Sequence, residues 1–368
     1  MLKGIELLDR LATVPGIAGR EHRIRAFIEE QTKGLFDETH VDAMGSLHGV
    51  IHARPSGASG KGKKKAGKAA GSRGKRPTRV MIAAHMDQIG FMVRHVDSKG
   101  FAWLSAVGGF DTRNLFARVV NVAPDVKDPE QDLRGVLNPG GRPVHIATPE
   151  DRKKVPEVGE FFVDFGLPAD EVKQRVTVGS MVTLEAPLHE VGGAVVSQCL
   201  DNRVACWELI EALRKLKKHA CEVHAVFTVQ EEVGLRGAGP ATFVAEPDIA
   251  LALDTTLCCD TPGVPENDSV TKQGEGVGIN VADGAAIVDV DLLNDIEAVA
   301  KKKKIKHQRT ILHRGGTDAG TIQRAGRGHR VVTLLTPTRY IHTVTETIHK
   351  DDMHAARDLV AAYLESVK

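Results

Sequence analysis

Short apolar runs that each end at an ionisable side chain constrain this chain more than any other feature. His85 and Asp87 lie in Ala83-Ala84-His85-Met86-Asp87, directly after Val80 to Ala84. The pair Glu231-Glu232 follows Val223 to Val229, and Asp254 follows Ile249 to Leu253. His342, in Tyr340-Ile341-His342-Thr343, comes shortly after Val331 to Leu335, and Asp201 in Leu200-Asp201-Asn202-Arg203 opens a helical pattern. In open α/β sheets, sites form beyond the carboxyl ends of the strands. All of these side chains are therefore expected on one rim.

The rhythm along the chain supports such a sheet. Ile5, Leu8 and Leu11 share one helical face, and Ile24, Phe27 and Ile28 another, with Pro15 to Gly19 breaking the chain between them. Strands are expected at 47–53, 80–84, 222–229, 249–254 and 331–335. A helix is expected from Asn202 to Leu216, with Asp201 as its cap, and a closing helix at 352–367. Alternating strands and helices predict an α/β fold with a mostly parallel sheet flanked by helices. Residues 91–193 differ: they are rich in Val, Gly and Pro, with short alternating runs such as Met181 to Leu184. They read as a small inserted β domain, so the main domain takes 1–90 plus 194–368.

Charge separates one further segment. The 368 residues carry a net charge of +1, yet 55–79 holds nine Lys and Arg and no acid, which leaves the remainder at −8. Residues 55–78 contain no large apolar side chain and are expected to form a disordered basic loop. The near-neutral total offers no global field for nucleic acid. Five cysteines without a Cys-x-x-Cys pair argue against a disulfide framework. The charged start, with Lys3, Glu6, Asp9 and Arg10, is not a secretion signal, and no run approaches 18 apolar residues. A cytoplasmic protein that does not enter a membrane is expected.

The clustered residue types suit two divalent metal ions. Each ion needs about three to four protein donors, with one carboxylate shared. Asp201 suits the shared position; His85 and Asp254 complete one site, Glu232 and His342 the other. Asp87 would accept the second N–H of the His85 imidazole, leaving Glu231 as general base toward a water bridging the ions. Singly, each residue has a simpler explanation: Asp201 as an N-cap, Asp254 as a turn residue, the Glu pair as a solvated helix face. Together those explanations require several coincidences.

At these residues the sequence resembles family 42 of the metallopeptidases, the TET and glutamyl aminopeptidase-like enzymes. The resemblance runs through His85-Met86-Asp87, Leu200-Asp201-Asn202-Arg203, Val229-Gln230-Glu231-Glu232-Val233-Gly234-Leu235-Arg236-Gly237-Ala238, Leu253-Asp254, Arg314-Gly315-Gly316-Thr317-Asp318-Ala319-Gly320 and Arg339-Tyr340-Ile341-His342. It implies an aminopeptidase acting on short peptides, with zinc or cobalt as the usual metal. It also implies the ligand set and base given above, and an inserted domain that mediates dimerisation. Dimers would build a dodecameric shell. Gly315, Gly316 and Asp318 are expected near the substrate by motif alone. Gln88 stands where similar chains carry Glu, and Thr343 where they carry Ser; the basic insertion lies outside the family pattern.

Three other readings compete. A related carboxypeptidase or deacylase would use similar ligands, but the insertion falls between His85 and Asp201 rather than after the Glu pair. An endoglucanase, a label the family sometimes carries, wants two carboxyls across a sugar and has little use for a His-rich cage; two Trp and two Tyr offer few stacking surfaces. A non-catalytic shell or binding protein would be expected to have lost Glu231 or a ligand, and none is missing.

Overall fold

The computed structural model describes residues 1–54 and 76–368. The expected disordered loop therefore lies almost wholly outside the described residues; at its end, Arg76 pairs with Asp248 at 2.7 Å.

The chain opens with α1 (Gly4–Thr13) and α2 (His22–Gln31), then β1 (Glu38–Val41), β2 (Leu47–Ile51) and β3 (Arg79–His85). Six strands follow: β4 (Gly90–Val96), β5 (Ala102–Val107), β6 (Arg118–Ala123), β7 (Leu133–Pro139), β8 (Phe161–Asp164) and β9 (Met181–Leu184). Short helices α3 (Pro149–Lys153) and α4 (Ala169–Arg175) are interspersed among them. The chain then returns through β10 (His189–Val191), β11 (Ala194–Ser197), α5 (Leu200–Lys215), β12 (Glu222–Thr228), α6 (Ala238–Ala245) and β13 (Ile249–Leu257). It ends with β14 (Val277–Ala282), α7 (Val290–Lys303), β15 (His307–Ile311), α8 (Ala319–Arg324), β16 (Arg330–Arg339), β17 (Glu346–His349) and α9 (Lys350–Ser366).

Eleven strands form one large sheet in the order β1-β2-β12-β3-β13-β16-β17-β11-β10, with β14 on β16 and β15 on β14. The expected parallel pairing holds at the centre, where β12, β3, β13 and β16 run side by side. The flanks β1-β2 and β16-β17-β11-β10 are antiparallel; short connections join β1 to β2, β10 to β11 and β16 to β17, while β17 meets β11 from far along the chain.

β3 shows why its sequence is a continuous apolar run. Val80, Ile82 and Ala84 face the main core, shared with α1, α5, α7 and α9, while Met81 and Ala83 face a second, alanine-rich core under α6 and α8. Burial on both faces suits a central parallel strand. Small residues on α6 (Ala238, Ala241, Ala245) let that helix sit close to the sheet.

The strands β4-β5-β8-β7-β6-β9 close into a separate barrel around Phe91, Leu104, Val120, Leu137, Phe161 and Val182. Its last strand ends at Leu184, and β10, inside the range assigned from sequence to the insertion, instead pairs with β11 of the large sheet. Hydropathy does not separate the two, since β10 is short and exposed.

α5 is the central buried helix. Trp207, fully buried on it, donates through Nε1 to the carbonyl of Gly4 at 2.8 Å and packs against His354. Replacing Trp207 by Ala leaves a large void and strands that carbonyl. A loss of about 3–5 kcal/mol is expected, read as a lower denaturant midpoint than wild type.

Candidate active site

The register of the central strands brings the expected residues level. Thr228 of β12 lies beside His85, Leu253 of β13 beside Ala84, and Asp254 beside Leu335 of β16. The carboxyl ends of these four strands thus deliver His85, the Glu231-Glu232 pair, Asp254 and, just past β16, His342 to one cleft of about 330 Å³.

Asp201 arrives from the other side. Cys199 adopts a left-handed backbone (φ 56°), and Asp201 (ψ 105°) and Asn202 are non-helical, so the regular helix begins after them. The Asn202 amide donates to the Leu253 carbonyl at 2.8 Å and ties this turn to β13. Asp201 therefore does not cap α5, as its position suggested; no side-chain capping bond is present there. Its carboxylate is turned into the cleft.

That carboxylate sits between the imidazoles. Asp201 Oδ1 is 3.4 Å from His85 Nε2, and Oδ2 is 3.5 Å from His342 Nε2. His85 Nε2 also lies 3.6 Å from Asp254 and 3.8 Å from Glu231, and His342 Nε2 lies 3.4 Å from Glu232. Such separations exceed good hydrogen bonds and leave room for cations between the donors. Two donor sets have atoms within 4.8 Å of one another: His85 with Glu231 and Asp254, and His85 with Asp201 and Glu232. Glu231, assigned from sequence as a base only, thus also lies within reach of the His85 side of the cage. The buried Glu232 Oε1 has no hydrogen-bond partner. Four carboxylates facing two imidazoles, with one orphaned oxygen, fit divalent metal ions.

The protonation equilibria reflect the same imbalance. Burial works against charge on His85, but the Glu231 charge and the Asp201, Asp254 and Asp87 carboxylates outweigh it and hold the imidazole well above its usual range. Burial likewise opposes a charged His342, yet Asp201 and Glu232 raise it to about 11. Burial pushes Glu231 well above its usual range, Glu232 to about 7 and Asp254 to about 6. Asp201 moves the other way: although burial opposes it, the two imidazoles hold its carboxyl below the ordinary carboxylate range.

Beneath the cleft, backbone donors are fixed by buried carboxylates. Asp87 accepts the N–H groups of Glu231 (3.0 Å) and Glu232 (3.2 Å). Its contact with His85 Nδ1 is longer, 3.5 Å through the carboxylate and 3.2 Å through its backbone carbonyl. Asp87 therefore holds the Glu pair more directly than the imidazole for which its spacing was read. Past the pair, the loop closes with the N–H of Gly237 on the Val229 carbonyl at 3.1 Å. A Cβ at Gly237 would sit 2.3 Å from that oxygen, which explains the glycine in the motif.

Glu346 was not found from sequence. One of its oxygens accepts the Asp201 N–H at 2.9 Å, the other the His342 N–H at 2.8 Å. The available signal was its position four residues after His342, which is uninformative until β17 is seen to lie beside β11. Glu21 was also missed; it accepts the Gln230 N–H at 3.2 Å, and burial and the Asp87 charge raise it to about 7.

Gly315 and Gly316 line the cleft as the motif suggested, but Asp318 does not. Its buried carboxylate accepts the Thr228 hydroxyl at 2.5 Å, behind the strand ends. Thr317, directly after the Gly-Gly pair, lines the cleft instead. Gln88 faces away too, 3.4 Å from the buried Arg203 guanidinium.

Residues 67–359 match the model of the M42 glutamyl aminopeptidase family. The chain belongs to that family. A putative aminopeptidase of Acetivibrio thermocellus is 34% identical over 356 residues, 96% of each chain. The lysyl aminopeptidase of Pyrococcus furiosus is 30% identical, covering 99% of this chain and 97% of its own. Among solved structures, the TET1 peptidase of Pyrococcus horikoshii superposes with a TM-score of 0.82 at 29% identity, covering 98% of this chain and 99% of that one. This M42 chain is thus a peptide-bond hydrolase of the aminopeptidase class. No helix among its described residues is long and apolar enough to cross a membrane.

Linkage gives this site a pH signature. Without metal, Glu232 and Asp254 bind protons more tightly folded (about 7 and 6) than unfolded, so stability falls as pH rises from about 4 to 7. Metal binding requires those carboxylates ionised, so metal-supported stability rises with pH. Melting curves between pH 5 and 8 should slope downward with pH for the metal-free protein and upward, relative to it, in excess zinc.

Proposed function

We propose that this chain is a two-metal aminopeptidase that releases the N-terminal residue of short peptides, with Glu231 carrying the proton. The observation that supports this most is the carboxylate of Asp201, whose two oxygens each face a different imidazole. Asp201 would be the shared ligand, His85 and Asp254 would complete one site, and Glu232 and His342 the other. Zinc or cobalt suits this mixture of imidazole and carboxylate donors. When bound, the two ions would polarise the scissile carbonyl and acidify water near neutrality.

The chain's own residues would do the remainder. Glu231, raised well above its usual range by burial, is a stronger proton acceptor than an exposed carboxylate. It would take a proton from the attacking water and deliver it to the leaving amine. Asp87 holds the Glu231 backbone and so fixes the point from which its side chain enters the cleft. The free α-amino group would be held by a metal ion or a nearby carboxylate, which restricts cleavage to the N-terminal residue. Gly315 and Gly316 form part of the cleft wall against which the first side chain would lie.

Assembly is part of the proposal. The TET1 peptidase of P. horikoshii assembles into a tetrahedron or an octahedral shell. Phe116, Val119 and Val136 lie exposed on the barrel, with Val119 directly opposite Val136 across β6 and β7. This apolar patch supports dimerisation through the barrel and a dodecamer built from dimers. An endoglucanase is disfavoured by the cleft, whose described lining includes no Phe, Tyr or Trp to stack on a sugar.

A panel of aminoacyl-p-nitroanilides tests the activity. Metal-loaded wild type should hydrolyse at least one member and ignore N-acylated versions. Glu231→Gln should lower kcat by about 10²–10⁴ with both metals retained by elemental analysis. Turnover of blocked but not free-amine substrates would overturn the reading.

A further inference from the structure

We infer that Glu346 is a positioning residue for one half of the metal cage: it sets Asp201 and His342 relative to each other, as Asp87 does for the Glu pair. The inference rests on the two-metal reading above. Asp201 and His342 come from segments 141 residues apart in sequence and share no strand. What joins them is a single buried carboxylate, 2% exposed, whose two oxygens accept one backbone N–H from each.

Neither segment would hold this shape alone. Cys199, two residues before Asp201, has φ 56°; Tyr340 and His342 have φ 60° and 63°. Left-handed backbone at residues other than glycine is costly and persists only where surrounding contacts over-determine it. The fold places Glu346 to supply those contacts. β17 pairs with β11 so that Glu346 lies opposite Ser197, just where the chain turns toward Cys199 and Asp201. The same strand begins four residues after His342.

The two clamps divide the cage. Asp87 fixes the backbone of Glu231 and Glu232, whereas Glu346 fixes Asp201 and His342. Only a carboxylate presents an acceptor on both sides. In Glu346→Gln, one acceptor becomes an NH₂ aimed at a backbone N–H, and either the Asp201 turn or the His342 turn must relax. His85 and Asp254 have no bond to Glu346, so the ion nearer them keeps two ligands in place and loses hold only on the shared Asp201, whereas the other ion has both Asp201 and His342 released.

Binding of zinc to metal-stripped wild type and Glu346→Gln, followed by titration calorimetry and by the metal-induced rise in Tm, tests this without reference to activity. The expected result is an unequal loss, the second ion, held by Glu232 and His342, weakened about 10–100-fold and the ion nearer His85 and Asp254 weakened clearly less, with the metal-free Tm little changed. In a His342→Ala background the effect of Glu346→Gln on that second ion should shrink to the part carried by Asp201. Wild-type stoichiometry and affinities in Glu346→Gln would overturn the inference. So would a variant that weakens both ions equally, or one that fails to fold even without metal, since either would make Glu346 a general structural residue. A wild type that binds fewer than two ions would instead defeat the two-metal reading itself.

Discussion

Mutual repulsion among buried carboxylates is the constraint on which this structure turns. Asp201, Glu231, Glu232 and Asp254 share one rim with two imidazoles set among them. Two unit charges 4 Å apart interact by about 4 kcal/mol at an effective dielectric constant near 20, so such a cluster disperses or takes up protons unless something holds it. The protein does the holding through the backbone. Asp87, Glu346 and Glu21 accept N–H groups from Glu231, Glu232, Asp201, His342 and Gln230, and the strand register fixes the rest. The architecture is that of a pre-organised cation site, with the cost of organising it met by α5 and the double-faced core around β3.

The barrel is not merely an appendage to this site. It enters and leaves the main domain between His85 and Asp201, so its ends are tied to two elements of the cage. Its β5–β6 loop also reaches the cleft: a Cβ on Gly109 would lie 3.7 Å from Nδ1 of His342. The packing of Phe110 on Phe91, with ring centroids 4.5 Å apart, anchors that loop to the barrel wall. Self-association through the barrel would therefore bear on the loop against the second imidazole.

Much of the site was legible because its chemistry sits at strand ends, where apolar runs stop abruptly at His85, Glu231 and Asp254. Asp201 was legible by type but not by conformation; its place at the head of α5 suggested a cap, and only the left-handed turn at Cys199 shows why it faces the cleft. Glu346 and Glu21 left no local trace, since a carboxylate that binds distant backbone N–H groups looks in sequence like any other. Asp318 was misplaced for the opposite reason: motif proximity to Gly315-Gly316 does not say which way a side chain points. At the level of fold, the central parallel strands could be read from double-sided burial, whereas the antiparallel flanks depend on pairing between β11, β17 and β16 that no periodicity records.

The most direct test of the central claim is an anomalous-difference map from crystals of the zinc-loaded protein, recorded on both sides of the metal absorption edge. The account requires two peaks roughly 3.5–4 Å apart with Asp201 between them, one toward His85 and Asp254, the other toward Glu232 and His342. A single peak, or two that leave Asp201 outside both coordination spheres, would contradict it.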